Sequence, residues 1–131
     1  LLPAPAHPFS RDVVMENLED ELRFTAIKFG VLIATREFAA AHALLAPELS
    51  ADISPGDLEH EFDEMIVHFD TEDVAPVPEA LQWVDEDEFG QWVYVPMEGD
   101  GELEAITLAL KKVAGEYRIT DLEWGKEWKG A

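Results

Sequence analysis

An α+β fold is predicted, with three N-terminal helices packed on a curved antiparallel sheet of about four strands. Three observations predict it. Apolar residues recur at helical spacing through the first half of the 131-residue chain. After Asp70 the apolar period falls to two. Turn-forming residues divide that second half into four strand-like runs, and helices followed by a meander fold as a sheet with its helices on one face.

The first helix is read from Ser10, its expected cap. Val14, Leu18, Leu22, Ala26, Phe29 and Ile33 follow at steps of four or three, which is one helix face. Asp12, Glu16 and Glu19 suit the positive end of the macrodipole. A break is expected at Ala34-Thr35, with Thr35 capping a second helix from Arg36 to Leu45 that Pro47 ends. Ser54-Pro55-Gly56-Asp57 signals the third: Ser54 caps, Pro55 fits the first helical position, and Asp57 is placed to complete a capping box. Leu58, Phe62, Met65 and Ile66 form its stripe.

A connector from Thr71 to Pro78 leads to runs at Ala80–Asp87, Gln91–Met97, Glu102–Val113 and Glu116–Trp124. They are rich in strand-preferring residues such as Trp83, Trp92, Val93, Tyr94, Val95, Ile106 and Tyr117. Glu88-Phe89-Gly90, Glu98-Gly99-Asp100-Gly101 and Ala114-Gly115 are the hairpin turns, and Asp-Gly is tight-turn chemistry. Ile106, Leu108 and Leu110 share one face of their strand. Ala105, Thr107 and Ala109 share the other, where small side chains leave room for a helix or a ligand.

This order resembles the nuclear transport factor 2-like superfamily, the cystatin-like α+β cone. The resemblance is carried by the long first helix, Leu44-Leu45-Ala46-Pro47-Glu48-Leu49, and Ser54-Pro55 opening the next helix. Its most specific part is the last hairpin, Ile106-Thr107-Leu108-Ala109-Leu110-Lys111-Lys112 and Gly115-Glu116-Tyr117-Arg118-Ile119-Thr120-Asp121-Leu122-Glu123-Trp124-Gly125. It covers roughly residues 11–125. A departure is the lack of a clear strand between the second and third helices. The resemblance implies a homodimer formed through the sheet face. It also implies a range of roles, from isomerases, dehydratases and polyketide cyclases to ligand-binding and protein-binding domains, some of them similar to immunity proteins. Fold alone does not choose among these.

Composition narrows the choice. The length is that of one domain, expected over residues 10–131 behind a flexible Pro-rich arm at 1–9. Ala4-Pro5-Ala6 within the arm also fits the end of a removed leader. The apolar fraction, 47%, is that of a globular chain rather than a disordered one. With no cysteine, disulfides, thiolate metal sites and cysteine nucleophiles are excluded. No apolar run is long enough to span a membrane, and a cytoplasmic location is expected.

Charge is the sharpest feature. Residues 37–110 contain neither Lys nor Arg, yet they hold 20 of the 29 carboxylates in a chain of net charge −20. Such a surface repels nucleic acid and anionic membranes and attracts cations. The nine bases are too few to form a nucleic-acid footprint. Those near the C-terminus, around Trp124 and Trp128, are expected to pair with local acids. Three readings of the acidity compete: solubility or salt adaptation, a docking surface for a basic protein, and mimicry of nucleic acid. The docking surface is favoured, because even spreading is what salt adaptation predicts. Glu59, Asp63 and Glu64 on the third helix and Asp85, Glu86, Asp87 and Glu88 at the first hairpin are the partner-binding candidates.

The alternative is a small-molecule pocket of the isomerase, dehydratase or cyclase type, taking a small apolar molecule. Its candidate lining is His68, Asp70, Trp83, Trp92 and Tyr94, with Asp85 nearby. Such chemistry needs a carboxylate tuned by burial next to a proton donor. Aromatic residues in strands more often pack than catalyse, so no catalytic residue is assigned. His60, Glu64 and His68 lie at i, i+4 and i+8, but His-Glu-x-x-His is absent and the i+8 residue drifts off the face, so no metal is expected. Asp85 to Glu88 lacks the ligand spacing of a calcium loop. Ser10, Ser50 and Ser54 are the only serines, two of them read as caps, and there is no nucleophile elbow or phosphate loop. No cofactor is expected. The expectation is a non-catalytic binding domain.

Overall fold

The computed structural model describes residues 11–125, with side chains described from residue 19. The expected Pro-rich arm, the Ser10 cap, the first two stripe positions and the C-terminal Lys-Trp-Lys cluster lie outside them. The observed class is α+β: N-terminal helices lie against a curved five-strand antiparallel sheet, a half-barrel.

Helix α1 runs from Arg11 to Ala34. Ala26, Phe29 and Ile33 of the predicted stripe are fully buried, and Leu22 packs against them. The helix ends where expected, but Thr35 does not start another. Its hydroxyl returns to the Val31 carbonyl at 2.9 Å. Arg36 takes a left-handed φ of 63°. Arg36 N–H then donates to Ile33 C=O and Glu37 N–H to Leu32 C=O. These two bonds are the Schellman closure that usually employs glycine. The second helix is consequently shorter than predicted: α2 spans only Phe38–His42.

Pro47 starts a helix instead of ending one. It occupies the first turn of α3, Pro47–Asp52, a use of proline that costs no hydrogen bond. His42 links the two short helices, with Nε2 3.1 Å from the Ser50 carbonyl and 2.7 Å from that of Ile53. Two carbonyl partners require this nitrogen to carry the proton. Between α2 and α3, residues 44–46 make one parallel bridge to Ile119. Ala46 N–H donates to Ile119 C=O, and Ile119 N–H donates to Leu44 C=O. Helix α4, Pro55–Met65, has the predicted capping box, with Ser54 and Asp57 bonded reciprocally at 3.1 and 2.9 Å. Leu58, Phe62, Met65 and Ile66 are all buried.

The connector holds one more strand than predicted. Strand β1, Ala75–Pro76, pairs with the far end of β3, Gly90–Gly99. A 3-10 turn at Pro78–Ala80 separates it from β2, Gln82–Asp87, which pairs with the near end of β3. Strands β4, Glu102–Val113, and β5, Glu116–Trp124, match the predicted bounds. The path is β1-β3-β4-β5, with β2 beside β1 on the same edge of β3. Both residues of the Asp100-Gly101 and Ala114-Gly115 turns have positive φ, the primed-turn geometry that matches strand twist. Register shifts in β2 between Trp83 and Glu86, and opposite Ala109–Leu110 in β5, are bulges, which bend a sheet.

Val93, Val95, Met97, Ile106, Leu108, Leu110 and Ile119 make the inner face of the sheet. Phe29 and Ile33 of α1 and Leu58 and Phe62 of α4 fill the hollow, with Phe38 and Phe62 rings 6.3 Å apart. Burying each large side chain is worth roughly 1.5–3 kcal/mol, so this layer dominates the stability.

Gly90 tests the closure of the first hairpin. Its φ is +123°, and a Cβ there would lie 2.1 Å from the Leu110 carbonyl oxygen. Gly90→Ala is expected to destabilise the fold by about 2–4 kcal/mol, through backbone strain and overpacking together. Urea unfolding followed by tryptophan fluorescence reads this directly; an unchanged midpoint would refute the tight β3–β4 approach.

Candidate functional site

Strand alternation decides where the pocket candidates go. Trp83 pairs with inward-facing Val93, so it lies on the inner face, packed against the core with the Arg23 guanidinium 5.9 Å from its ring centroid. Trp92 and Tyr94 alternate with Val93 and Val95 and therefore face the opposite side. The three aromatics do not meet. Asp70 is exposed on the connector, and His68 is half-exposed, with Nε2 3.0 Å from Glu104. The hollow that would form a pocket is occupied by the Phe29–Phe62 layer. None of the described carboxylates is buried. The pocket candidates thus divide among three places: inside the sheet, outside it, and on the connector.

The outer face of the sheet carries Trp92, Tyr94 and Pro96 on β3, opposite Ala109, Thr107 and Ala105 on β4. The small residues predicted to admit a helix or a ligand are instead buried among larger cross-strand neighbours. Trp92 Nε1 donates to Asp87 at 2.9 Å, fixing the ring against the hairpin.

The acidic candidates also separate. Asp85 to Glu88 lie at the β2–β3 hairpin, where Asp87 pairs with Gly90. The other Asp87 oxygen accepts the Phe89 N–H at 2.9 Å, so this carboxylate shapes the turn. This end also carries bases: Lys111 donates to the Glu88 carbonyl, Lys112 lies 3.9 Å from Glu21, and Arg118 pairs with Glu116 at 3.0 Å. Burial, and then Glu21, raise the pKa of Tyr117 above its ordinary value there.

The opposite end is different. From the Gln91–Leu110 rung to the Met97–Glu104 rung is six residues along β3, roughly 20 Å. There Phe69 and Val74 close on Gly99, His68 pairs with Glu104, and β1 pairs Ala75 with Glu98. These contacts gather acids from three separate stretches: Asp63 and Glu64 on α4, Asp70, Glu72 and Asp73 on the connector, and Glu98, Asp100, Glu102 and Glu104 around the β3–β4 turn. Val67, 78% exposed, and Leu103, 62% exposed, lie among them. The sequence left open whether the acids of α4 and of the first hairpin meet; in the structure α4 adjoins the connector.

Arg36 is the base at this end among the described residues, and sequence reading missed it. The Schellman turn aims it across α4, with Nη2 2.7 Å from Asp63 and 3.5 Å from Glu72, and Nη1 3.9 Å from Glu59. Its guanidinium carbon sits 5.4 Å from the Phe62 ring centroid. The hydrogen bond to Asp63 raises its pKa above the ordinary arginine value, against a smaller opposing effect of burial. Of the seven partner-binding candidates, Glu59 and Asp63 are therefore partly neutralised, and Glu64 pairs with His60 at 3.2 Å. The two histidines weighed as metal ligands serve different carboxylates, and no three-residue metal-binding group occurs among the described residues. No helix among them is long and apolar enough to cross a membrane.

Comparison with protein-family models, curated proteins and solved structures gave no significant match.

Arg36→Met removes the charge but keeps much of the apolar stem. A loss of about 1 kcal/mol is expected at low ionic strength, shrinking as added salt screens the three exposed carboxylates. Thermal unfolding of both forms across a salt series checks it; a deficit independent of salt would assign the role of Arg36 to packing on Phe62.

Proposed function

We propose that this chain is a divergent member of the nuclear transport factor 2-like superfamily acting as a non-catalytic binding domain, and that its α4/connector/β3–β4 end engages a basic protein. One observation carries the reading. Acids from three distant stretches converge at one end of the half-barrel around exposed Val67 and Leu103, and the base found there among the described residues is already paired. A coat that serves solubility alone would be spread evenly, whereas a negative patch with apolar residues inside it suits a cationic protein surface. Complementary charge of this kind speeds encounter and rejects acidic competitors. An immunity-like role, covering a basic site on a partner, is the form of binding most consistent with it. The filled hollow gives the pocket alternative no comparable support.

The outer face with Trp92 and Tyr94 is the surface on which we place the homodimer implied by the resemblance. Sedimentation at micromolar concentration is expected to give twice the chain mass, and Tyr94→Glu is expected to return it to a monomer. A monomeric parent protein would remove this part of the proposal.

The acidic end is tested by charge reversal against a panel of basic proteins. For a binding member, Glu72→Lys combined with Asp100→Lys is expected to weaken affinity by about tenfold or more, mainly at low salt. Asp85→Lys with Glu86→Lys, at the far end, is expected to change it little. Equal effects of the two pairs would show that net charge alone governs binding, and an affinity insensitive to salt would refute the electrostatic basis.

A further inference from the structure

Strand β5 is an edge strand, and its outer side is only partly used. The bond from Gly125 N–H to Ala105 C=O sets the phase of its ladder with β4. In an antiparallel ladder, residues alternate between pointing their N–H and C=O groups at the neighbour and away from it. Trp124 pairs with Ile106 and Leu122 with Leu108, so both of these β5 residues direct their backbone groups outward. Farther up the edge, Ile119 spends the same outward groups on residues 44–46. Leu122 N–H is bonded at 2.9 Å to the side chain of Asp121. Among the described residues, no recorded backbone bond reaches the outward Leu122 carbonyl or the Trp124 N–H and C=O.

Beside this edge a groove runs between β5 and α4. Ile53, Leu58, Leu122 and Trp124 give it an apolar floor, and Asp57 and Glu61 stand on its rim. Asp121 and Glu123 add two more carboxylates along β5 itself. His60 also lines the groove, and neither Lys nor Arg does among the described residues.

We propose that the β5 edge at Leu122–Trp124 takes an extended segment of a partner protein as an added strand, with apolar side chains entering the groove and alternate Lys or Arg residues on the opposite face, alongside the carboxylates of Asp121 and Glu123. This rests on the reading of the chain as a binding domain for a basic protein, and it names how part of that partner is held. Backbone pairing supplies affinity in strand addition, and pockets for alternate side chains supply specificity. The groove requires that alternation: one residue faces its apolar floor and the next is directed away from it. The edge is already primed, because residues 44–46 use the same edge for a parallel bridge at Ile119. Asp121 protects the edge in the free protein by occupying one of its donors, as exposed edges generally require.

The probe is the amidated heptapeptide Lys-Val-Lys-Val-Lys-Val-Lys, compared with the same peptide N-methylated on every backbone amide. Binding is followed by fluorescence anisotropy, and the Trp124 amide by hydrogen exchange in NMR spectra of the full chain. The parent peptide is expected to slow Trp124 exchange. The methylated peptide, with equal charge, is expected to bind at least roughly tenfold more weakly, the equivalent of losing about one net backbone hydrogen bond. Asp121→Lys is expected to weaken the parent peptide, since Asp121 lies on the face of β5 that the Lys residues meet. Equal affinity of the two peptides, or an unaltered Trp124 amide, overturns the proposal. So does a Trp124 amide already protected without peptide in a concentration-dependent way, which assigns the edge to a second copy. Equal binding that still falls with salt overturns the edge site and leaves the acidic-surface reading intact. Protected Trp124 with binding indifferent to salt overturns the charge pairing along β5 and the acidic-surface reading together.

Discussion

The concave face of the sheet must be covered, and everything else follows from how that is done. Val93, Val95, Met97, Ile106, Leu108 and Leu110 present an apolar hollow that a single helix cannot fill. Phe29 and Ile33 approach from α1, and Leu58 and Phe62 from α4, all fully buried. Each side chain of that size is worth a few kcal/mol in place, and its truncation leaves a cavity costing about 3–5 kcal/mol for phenylalanine. A protein of net charge −20 works against self-repulsion, so the apolar layer has to outweigh it. The same layer fills the hollow that the sequence offered as a pocket.

Filling the hollow also sorts the charge. With the interior closed to carboxylates, acids collect where the chain turns: on the solvent side of α4, in the connector, and at hairpin tips. Phe69 and Val74 seat against Gly99 to close one end of the half-barrel, and in doing so they carry Asp70, Glu72 and Asp73 to the β3–β4 turn. Arg36 is the counterweight. A left-handed residue at a helix C-terminus is normally glycine, and placing arginine there costs roughly 1 kcal/mol or more of backbone strain. That position points one guanidinium at three carboxylates and lays it over Phe62. The charge relief and the cation–π contact offset the strain, which accounts for a residue the turn itself disfavours.

Much of the fold was legible because its signals are local. The capping box at Ser54 and Asp57, the Asp-Gly and Ala-Gly turns, and the period-two runs of β4 and β5 all act over a few residues, and the structure reproduces their bounds. What escaped is what tertiary contacts decide. Thr35 has the chemistry of an N-cap, but a hydrogen bond back to Val31 and the turn at Arg36 use it to end α1. Pro47 is compatible with ending one helix or starting another, and only the bridge of residues 44–46 to Ile119 selects the second. Strand β1 is two residues long and contains a proline, so no periodicity could announce it. The site was less legible than the fold. Trp83 and Trp92 both look like pocket aromatics, yet their odd separation in register places them on opposite faces, which depends on the β2–β3 pairing.

The acidic stretch shows the same limit in another form. In sequence, 18 of the base-free stretch's carboxylates run from Asp52 to Glu104, and nothing local says whether those of α4 and of the first hairpin meet. In space, the first hairpin shares its end of the sheet with Lys111, Lys112 and Arg118, which reach the Glu88 carbonyl, Glu21 and Glu116. The other end has acids from three elements and Arg36 as its paired base among the described residues. A long base-free run in sequence is therefore two surfaces of different character, one with several bases beside it and one with Arg36 among the described residues. Interactions between exposed charges fade beyond about a Debye length, roughly 8–10 Å at ordinary salt. The two ends lie roughly 20 Å apart along β3, beyond that screening distance. The two ends therefore present largely independent fields, and the acids gathered at one of them are brought there by the folding of the connector over Gly99.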